Sequence, residues 1–267
     1  MYIATHDKDF FPVHFAEKFK CIKGLGFDAF EIDGKVLVEN HREIETAAQR
    51  QDLPVQMVCG GYGGWIGDFS EERRQKGLAD IKEILSIAGK MGICGIVVPA
   101  AWGMFSLRLP PMTPPRTREE DREILLDSLA ELEESAAKTN TTIYLEPINR
   151  YQNHMIVTVE DAYTLIQAGG FQHVKICADF YHMNIEEAHI HETLQTYSSL
   201  IGHIHIASNQ RFQPGIGHMD YVSSFAVLKA ANYSGGAAME CRIIGDGMQA
   251  LEQSVQFMRE TLKKAGF

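Results

Sequence analysis

Apolar positions along this chain alternate between two periods. Short runs that are mostly apolar or strictly alternating, YIAT, DAFEI, VQMVC, GIVVPA, TIYLE, VKICAD, HIHIA and AAMEC, predict eight strands. Between them, apolar residues recur at helical spacing with charges in the gaps, from Phe15 to Lys23, Ser70 to Met91, Glu119 to Lys138 and Met248 to Lys264. Ser70 ahead of a Glu pair, and Thr158 with Asp161 three residues on, are helix start signals. Eight strands alternating with eight helices predict an α/β fold, one (β/α)8 TIM barrel over residues 1–267, because strand, crossover and parallel strand units are right-handed and curl one way. An open doubly wound sheet competes, but no Gly-x-Gly-x-x-Gly follows the first strand.

Composition narrows the function. A chain of 267 residues with 45% hydrophobic content can bury a large core. Its 25 Lys and Arg against 35 Asp and Glu give a formal charge of −10, which opposes attraction to nucleic acid or an anionic membrane. No apolar run is long enough to span a bilayer and no positive segment leads into an apolar stretch, so a cytoplasmic protein is expected. The cysteines at 21, 59, 94, 177 and 241 are odd in number and never form a C-x-x-C pair. That spread suggests neither a disulfide framework nor a thiolate zinc site, and Cys59, Cys177 and Cys241 read as small wall residues.

The chemistry concentrates in the second half. Four strand-like segments end in a residue able to bind a divalent metal: Glu146 in IYLEPIN, Asp179 in VKICADF, His205 in IGHIHIAS and Glu240 in GGAAMECR. Each alone could be a helix cap or turn former. Together they recur where the strands of a parallel barrel end, and that is where catalytic groups sit. Three carboxylates and one imidazole are a hard, oxygen-rich set, suited to Mn²⁺ first, then Mg²⁺ or Co²⁺, with Zn²⁺ less favoured. Such a site stabilises a developing enediolate while a carboxylate moves a proton, and a sugar's neighbouring carbonyl and hydroxyl are natural partners for it.

The segments LEPINRY, ADFYHMNIEE, HIHIASNQRFQPGIGHMD and MECR resemble the D-tagatose 3-epimerase and D-psicose 3-epimerase family of xylose isomerase-like barrels, most densely over residues 143 to 242. The resemblance implies a metal held by Glu146, Asp179, His205 and Glu240, with Glu146 and Glu240 as the proton-transfer pair on opposite faces of the sugar. It implies His182 and Arg211 as binders of substrate oxygens. One departure stands out: Gln152 occupies the place of a family glutamate, and an amide cannot accept a proton there. Substrate and reaction are what this position touches. Return of the proton to the same carbon gives an epimer, return to its neighbour an aldose–ketose isomerisation, and loss of a β leaving group a lyase or dehydratase acting on a keto-sugar, keto-glycoside or inosose.

Each assignment has a plainer reading beside it. Glu146 could be a structural acid paired with Arg150, and His203 and His205 alternate on one strand face, so the residues alone leave either facing the interior. His218 in PGIGHMD reads as a loop or cap residue, and Tyr62, Trp65, Trp102 and Tyr181 fit a pocket wall and a core equally. GGYGGWIGDF reads as a flexible turn or as a close approach to a ligand, and the proline-rich loop with Pro110, Pro111, Pro114 and Pro115 as a rim lid or an oligomer contact. An apurinic endonuclease would need further metal ligands and a basic groove. A silent barrel subunit would show an eroded ligand. The expected partners are a small sugar and a second copy of the chain, as dimer or tetramer, with no nucleic acid and no membrane.

Overall fold

The computed structural model describes residues 1–106 and 113–267. Eight strands, β1 (Ile3–Thr5), β2 (Ala29–Ile32), β3 (Val55–Cys59), β4 (Gly95–Pro99), β5 (Thr142–Glu146), β6 (Val174–Asp179), β7 (Ile201–Ile206) and β8 (Ala237–Met239), pair in parallel in chain order and close as β8 on β1. Among the described residues nine helices surround them: α1 (Phe15–Gly24), α2 (Gly34–Gln51), α3 (Glu71–Met91), α4 (Arg118–Thr139), α5 (Val159–Gly169), α6 (Phe180–Glu186), α7 (Ile190–Tyr197), α8 (Tyr221–Ala230) and α9 (Gly247–Lys264). The ninth arises because two short helices, not one, join β6 to β7. No described helix is long and apolar enough to cross a membrane.

Local signals place these elements. Ser70 caps α3 by accepting from the Arg73 N–H, and Thr158 with Asp161 forms a reciprocal capping box on α5. The Gly-rich stretch after β3 packs tightly against backbone at two of its glycines. Gly61 (φ +81°) and Gly64 (φ +118°) lie so close to neighbouring backbone that a Cβ would come within 2.3 Å of Lys35 N and 2.0 Å of Arg73 O. Pro110, Pro111 and the centre of the loop after β4 lie outside the described residues.

Strand alternation builds the barrel in layers. Met57, Val97, Tyr144 and Cys177 form one apolar cluster, and the residue two positions further along β5 and β6 is Glu146 or Asp179. Successive residues of a strand face opposite sides, so the acids stand on the same interior face, one layer nearer the C-terminal mouth.

Candidate active site

Glu146, Asp179, His205 and Glu240 converge at the mouth. They offer ligand atoms that all lie within 4.8 Å of one another. Glu146 ends β5, Asp179 ends β6 and pairs in register with His205 of β7, and Glu240 follows Met239 at the end of β8. The centre of the cluster is the His205 Nδ1 atom, 3.0 Å from Glu146 Oε1, 2.9 Å from Glu240 Oε2 and 3.9 Å from Asp179 Oδ2. Asp179 divides its oxygens: Oδ1 caps α6 through the Tyr181 and His182 N–H groups, and Oδ2 faces the cluster.

The electrostatics set the two glutamates apart. Burial and the neighbouring Glu240 carboxylate push Glu146 up to about 7, against the pull of His205. Burial acts on Glu240 in the same sense, but Arg211 and His205 outweigh it and hold that carboxyl well below its usual range. Glu240 Oε2 is buried and has no well-angled hydrogen bond. Three acceptors and an imidazole around one point fit a divalent cation by donor type and by charge.

Arg211 and His182 flank the cluster. The Arg211 guanidinium bonds Asp179 Oδ2 through Nη1, reaches within 2.6 Å of Glu240 Oε2 through Nη2, and stacks 4.8 Å above the Tyr181 ring. Its backbone is left-handed at φ +62°, and its carbonyl accepts from Arg242 N, tying the loop after β7 to the exit of β8. His182 is buried, and its Nδ1 accepts from Asn149 Nδ2 at 2.7 Å and Asn149 N at 3.1 Å. Burial lowers it below the usual imidazole range despite Asp179. A neutral ring accepting at Nδ1 carries its hydrogen on Nε2, so it is a donor on its free side.

The other candidates divide. Arg150 pairs with Glu186 and not with Glu146, which removes the structural partner weighed for that acid. His203 faces the interior, as His205 does, and bonds Glu31 instead of the cluster. Tyr62 has a buried hydroxyl with no hydrogen-bond partner among the described residues, and burial with Cys59 and Glu146 nearby pushes its phenol well above its usual range. Trp102 is 54% exposed and Trp65 packs edge-on to Tyr62. His218 sits in an exposed turn whose N–H bonds Asn209. The Gln152 carbonyl accepts from Gly103 N, which links the loops after β5 and β4, and its side chain bonds none of the described residues.

Three residues escape a reading by strand ends. Glu31, 1% exposed within β2, accepts from His203, His205 and His6. The signal for it was an acid inside an apolar run, between Phe30 and Ile32, which a strand interior holds only with partners. His6 lies just past β1, and its ring meets His205 edge-on at 5.2 Å. Lys8 donates to the carbonyls of Met239 and Cys241, bracing the backbone on either side of Glu240.

This barrel with an acid-rich mouth defines a class. Residues 19–261 match the family model described as xylose isomerase-like TIM barrel, and the chain belongs to that family. It is 51% identical over 260 residues to the 3-dehydro-D-guloside 4-epimerase of Escherichia coli K12, covering 97% of this chain and 99% of that one. The apo crystal structure of a 3-keto-D-glucoside 4-epimerase from E. coli superposes with a TM-score of 0.96 at 51% identity, over 97% of this chain and 99% of that one. A D-psicose 3-epimerase of Enterocloster bolteae is 26% identical over 92% of this chain and 83% of its own length. The protein is a sugar epimerase of this superfamily, and so an isomerase.

Proposed function

We propose that the protein is a divalent-metal-dependent epimerase that inverts the hydroxyl-bearing carbon next to the ketone of a 3-keto-hexoside, at position 4. The observation that carries the metal-dependent part is the convergence of Glu146, Asp179, His205 and Glu240 around the His205 Nδ1 atom. Identity of 51% along the whole chain with a 3-dehydro-guloside 4-epimerase supports the substrate class. A ketose with its carbonyl at carbon 2 and a glycoside oxidised at carbon 3 present the same unit, a ketone beside a carbon bearing hydroxyl and hydrogen. Gln152 in place of a glutamate agrees with a change in what surrounds that unit, not in the unit itself.

Glu146, Asp179, His205 and Glu240 would hold the cation, with Mn²⁺ the first choice for this donor set. When bound, it polarises the ketone and neutralises charge developing on the adjacent oxygens. The chain's own residues do the rest. His182 offers its Nε2–H, and Arg211 its guanidinium donors, to the two substrate oxygens. One of Glu146 and Glu240 removes the hydrogen from the carbon beside the ketone, and the other returns a proton to the opposite face. Lys8 and the Arg211–Arg242 bond keep Glu240 aimed while it does so. The same reading takes the chain as one domain, working as a cytoplasmic homo-oligomer. Exposed Phe257 and Val222 on outer helices support self-association.

The test is hydrogen exchange from heavy water followed by NMR over 3-keto-glycosides, free ketoses and inososes, with Mn²⁺-loaded protein and a Glu240→Gln control. Exchange with inversion at carbon 4 of a 3-keto-glycoside, abolished in the control, is expected. Exchange confined to free ketoses, loss of a leaving group, or no exchange at all would overturn the assignment.

A further inference from the structure

Three imidazoles meet on Glu31. His205 Nε2 lies 2.7 Å and His6 Nε2 2.8 Å from its Oε1, and His203 Nε2 lies 2.7 Å from its Oε2. A carboxylate only accepts, so each of these nitrogens carries a hydrogen. For His205 the consequence reaches the far side of the ring: by the same rule Nδ1 donates to Glu146 Oε1 at 3.0 Å, and a cation among the carboxylates would displace that one hydrogen and leave Nδ1 a bare lone pair, while Glu31 retains the hydrogen on Nε2. The pairing of β2 with β3 slips between Phe30 and Glu31, an irregularity of the kind that re-aims a side chain beside a site.

His203 completes the arrangement from below. It is fully buried, its Nδ1 has no hydrogen-bond partner among the described residues, and its one polar bond is to Glu31 Oε2. That bond occupies one oxygen and leaves the other to His205 and His6. His6, Glu31, Cys59 and His205 also lie close enough to suggest a second cation site. Because each Nε2 atom donates to Glu31, the ring nitrogens turned toward Glu31 offer a cation no lone pair there.

We propose that Glu31, held by His203, is a positioning residue that locks His205 in its Nε2–H tautomer and so presents Nδ1 to the divalent cation as a neutral ligand. The inference rests on the cation site of the proposed function. Tying down the other nitrogen of a metal-bound histidine is worth about 10–100-fold in metal affinity. A purely structural Glu31 would leave both the affinity and the proton position unchanged in a folded variant.

Two measurements test this together: calorimetric titration with Mn²⁺ of wild type, Glu31→Gln and Glu31→Asp, and ¹⁵N imidazole NMR of the Mg²⁺-loaded wild type. The expected result is about 10–100-fold weaker Mn²⁺ binding in Glu31→Gln, partial recovery in Glu31→Asp, and a hydrogen on His205 Nε2 with none on Nδ1. A hydrogen on Nδ1 in the loaded wild type overturns the proposal, and needs no variant to fold. Equal Mn²⁺ affinity in a folded Glu31→Gln variant overturns it as well, while leaving the cation site standing. A wild type that binds no Mn²⁺ removes the site and this inference with it.

Discussion

Arg211 lies across the candidate site as a built-in cation, and its removal should pull affinity and turnover in opposite directions. Its guanidinium touches both Asp179 and Glu240, two of the four groups that would hold the metal. Glycine is the cleanest replacement, because at φ +62° any other residue keeps a backbone cost of roughly 1–2 kcal/mol. Two unit charges 4 Å apart interact by about 4 kcal/mol at an effective dielectric of 20, and much of that is offset by desolvation in a buried pair. A net of about 1.4 kcal/mol survives this offset, which corresponds to about tenfold tighter Mn²⁺ binding in Arg211→Gly. Turnover should fall by about 100-fold or more, since the proposed donors to the substrate oxygens disappear with the side chain. Calorimetric titration at pH 8, beside NMR turnover of a 3-keto-glycoside, reads both quantities. A folded Arg211→Gly that binds Mn²⁺ more weakly than wild type would refute the reasoning and make the guanidinium a splint for the carboxylates instead of a competitor for them.

Other outcomes follow from the same geometry. Loading with Mn²⁺ at a hundred times its dissociation constant should stabilise the fold by about 2.7 kcal/mol, raising Tm by several degrees over protein in chelator; scanning fluorimetry showing no shift would contradict a site. Asp121→Ala strands two partners at once, Arg116 and the buried His154, so urea unfolding should show a loss of about 3–5 kcal/mol, and a loss below about 1 kcal/mol would mean the pair carries no weight. Asn149→Ala removes the closer of the two donors to His182 Nδ1; kcat/KM should drop by about tenfold with Mn²⁺ affinity unchanged, and a parallel drop in affinity would place Asn149 in the metal site instead.

How far the sequence could be read depended on where each residue sat. Glu146 and Asp179 close apolar runs, so position and chemistry pointed the same way, and the strands end on them. β8 stops at Met239, one residue before Glu240, and β7 starts at Ile201 because Gly202, which reads as a breaker, is carried inside the ladder. Period-two alternation put His203 and His205 on one face, but which of them reaches the carboxylates depends on their depth in the barrel, which alternation does not encode. The helix Gly34–Gln51 has its cap, Asp33 accepting from the Val36 N–H, but buries only Gly34, Leu37, Ile44 and Ala47, and the split between α6 and α7 falls at Glu187, Ala188 and His189, where no proline or glycine announces it. Glu31 was hidden for a different reason. Its partners His203 and His205 lie 172 and 174 residues away, and only barrel closure brings them within reach.

Glu146, Asp179, His205 and Glu240 occupy four consecutive strands of the closed sheet, β5 to β8, whereas Tyr62, Trp102 and the Gly-rich stretch ride on loops of the other half. The proposed chemistry thus draws its acids from the second half of the chain, while the first half supplies wall. A laboratory testing new substrates on this scaffold would vary the front-half walls and leave the back half alone, carrying over Glu31, His6 and Lys8, which are tied to His205 and to the backbone around Glu240.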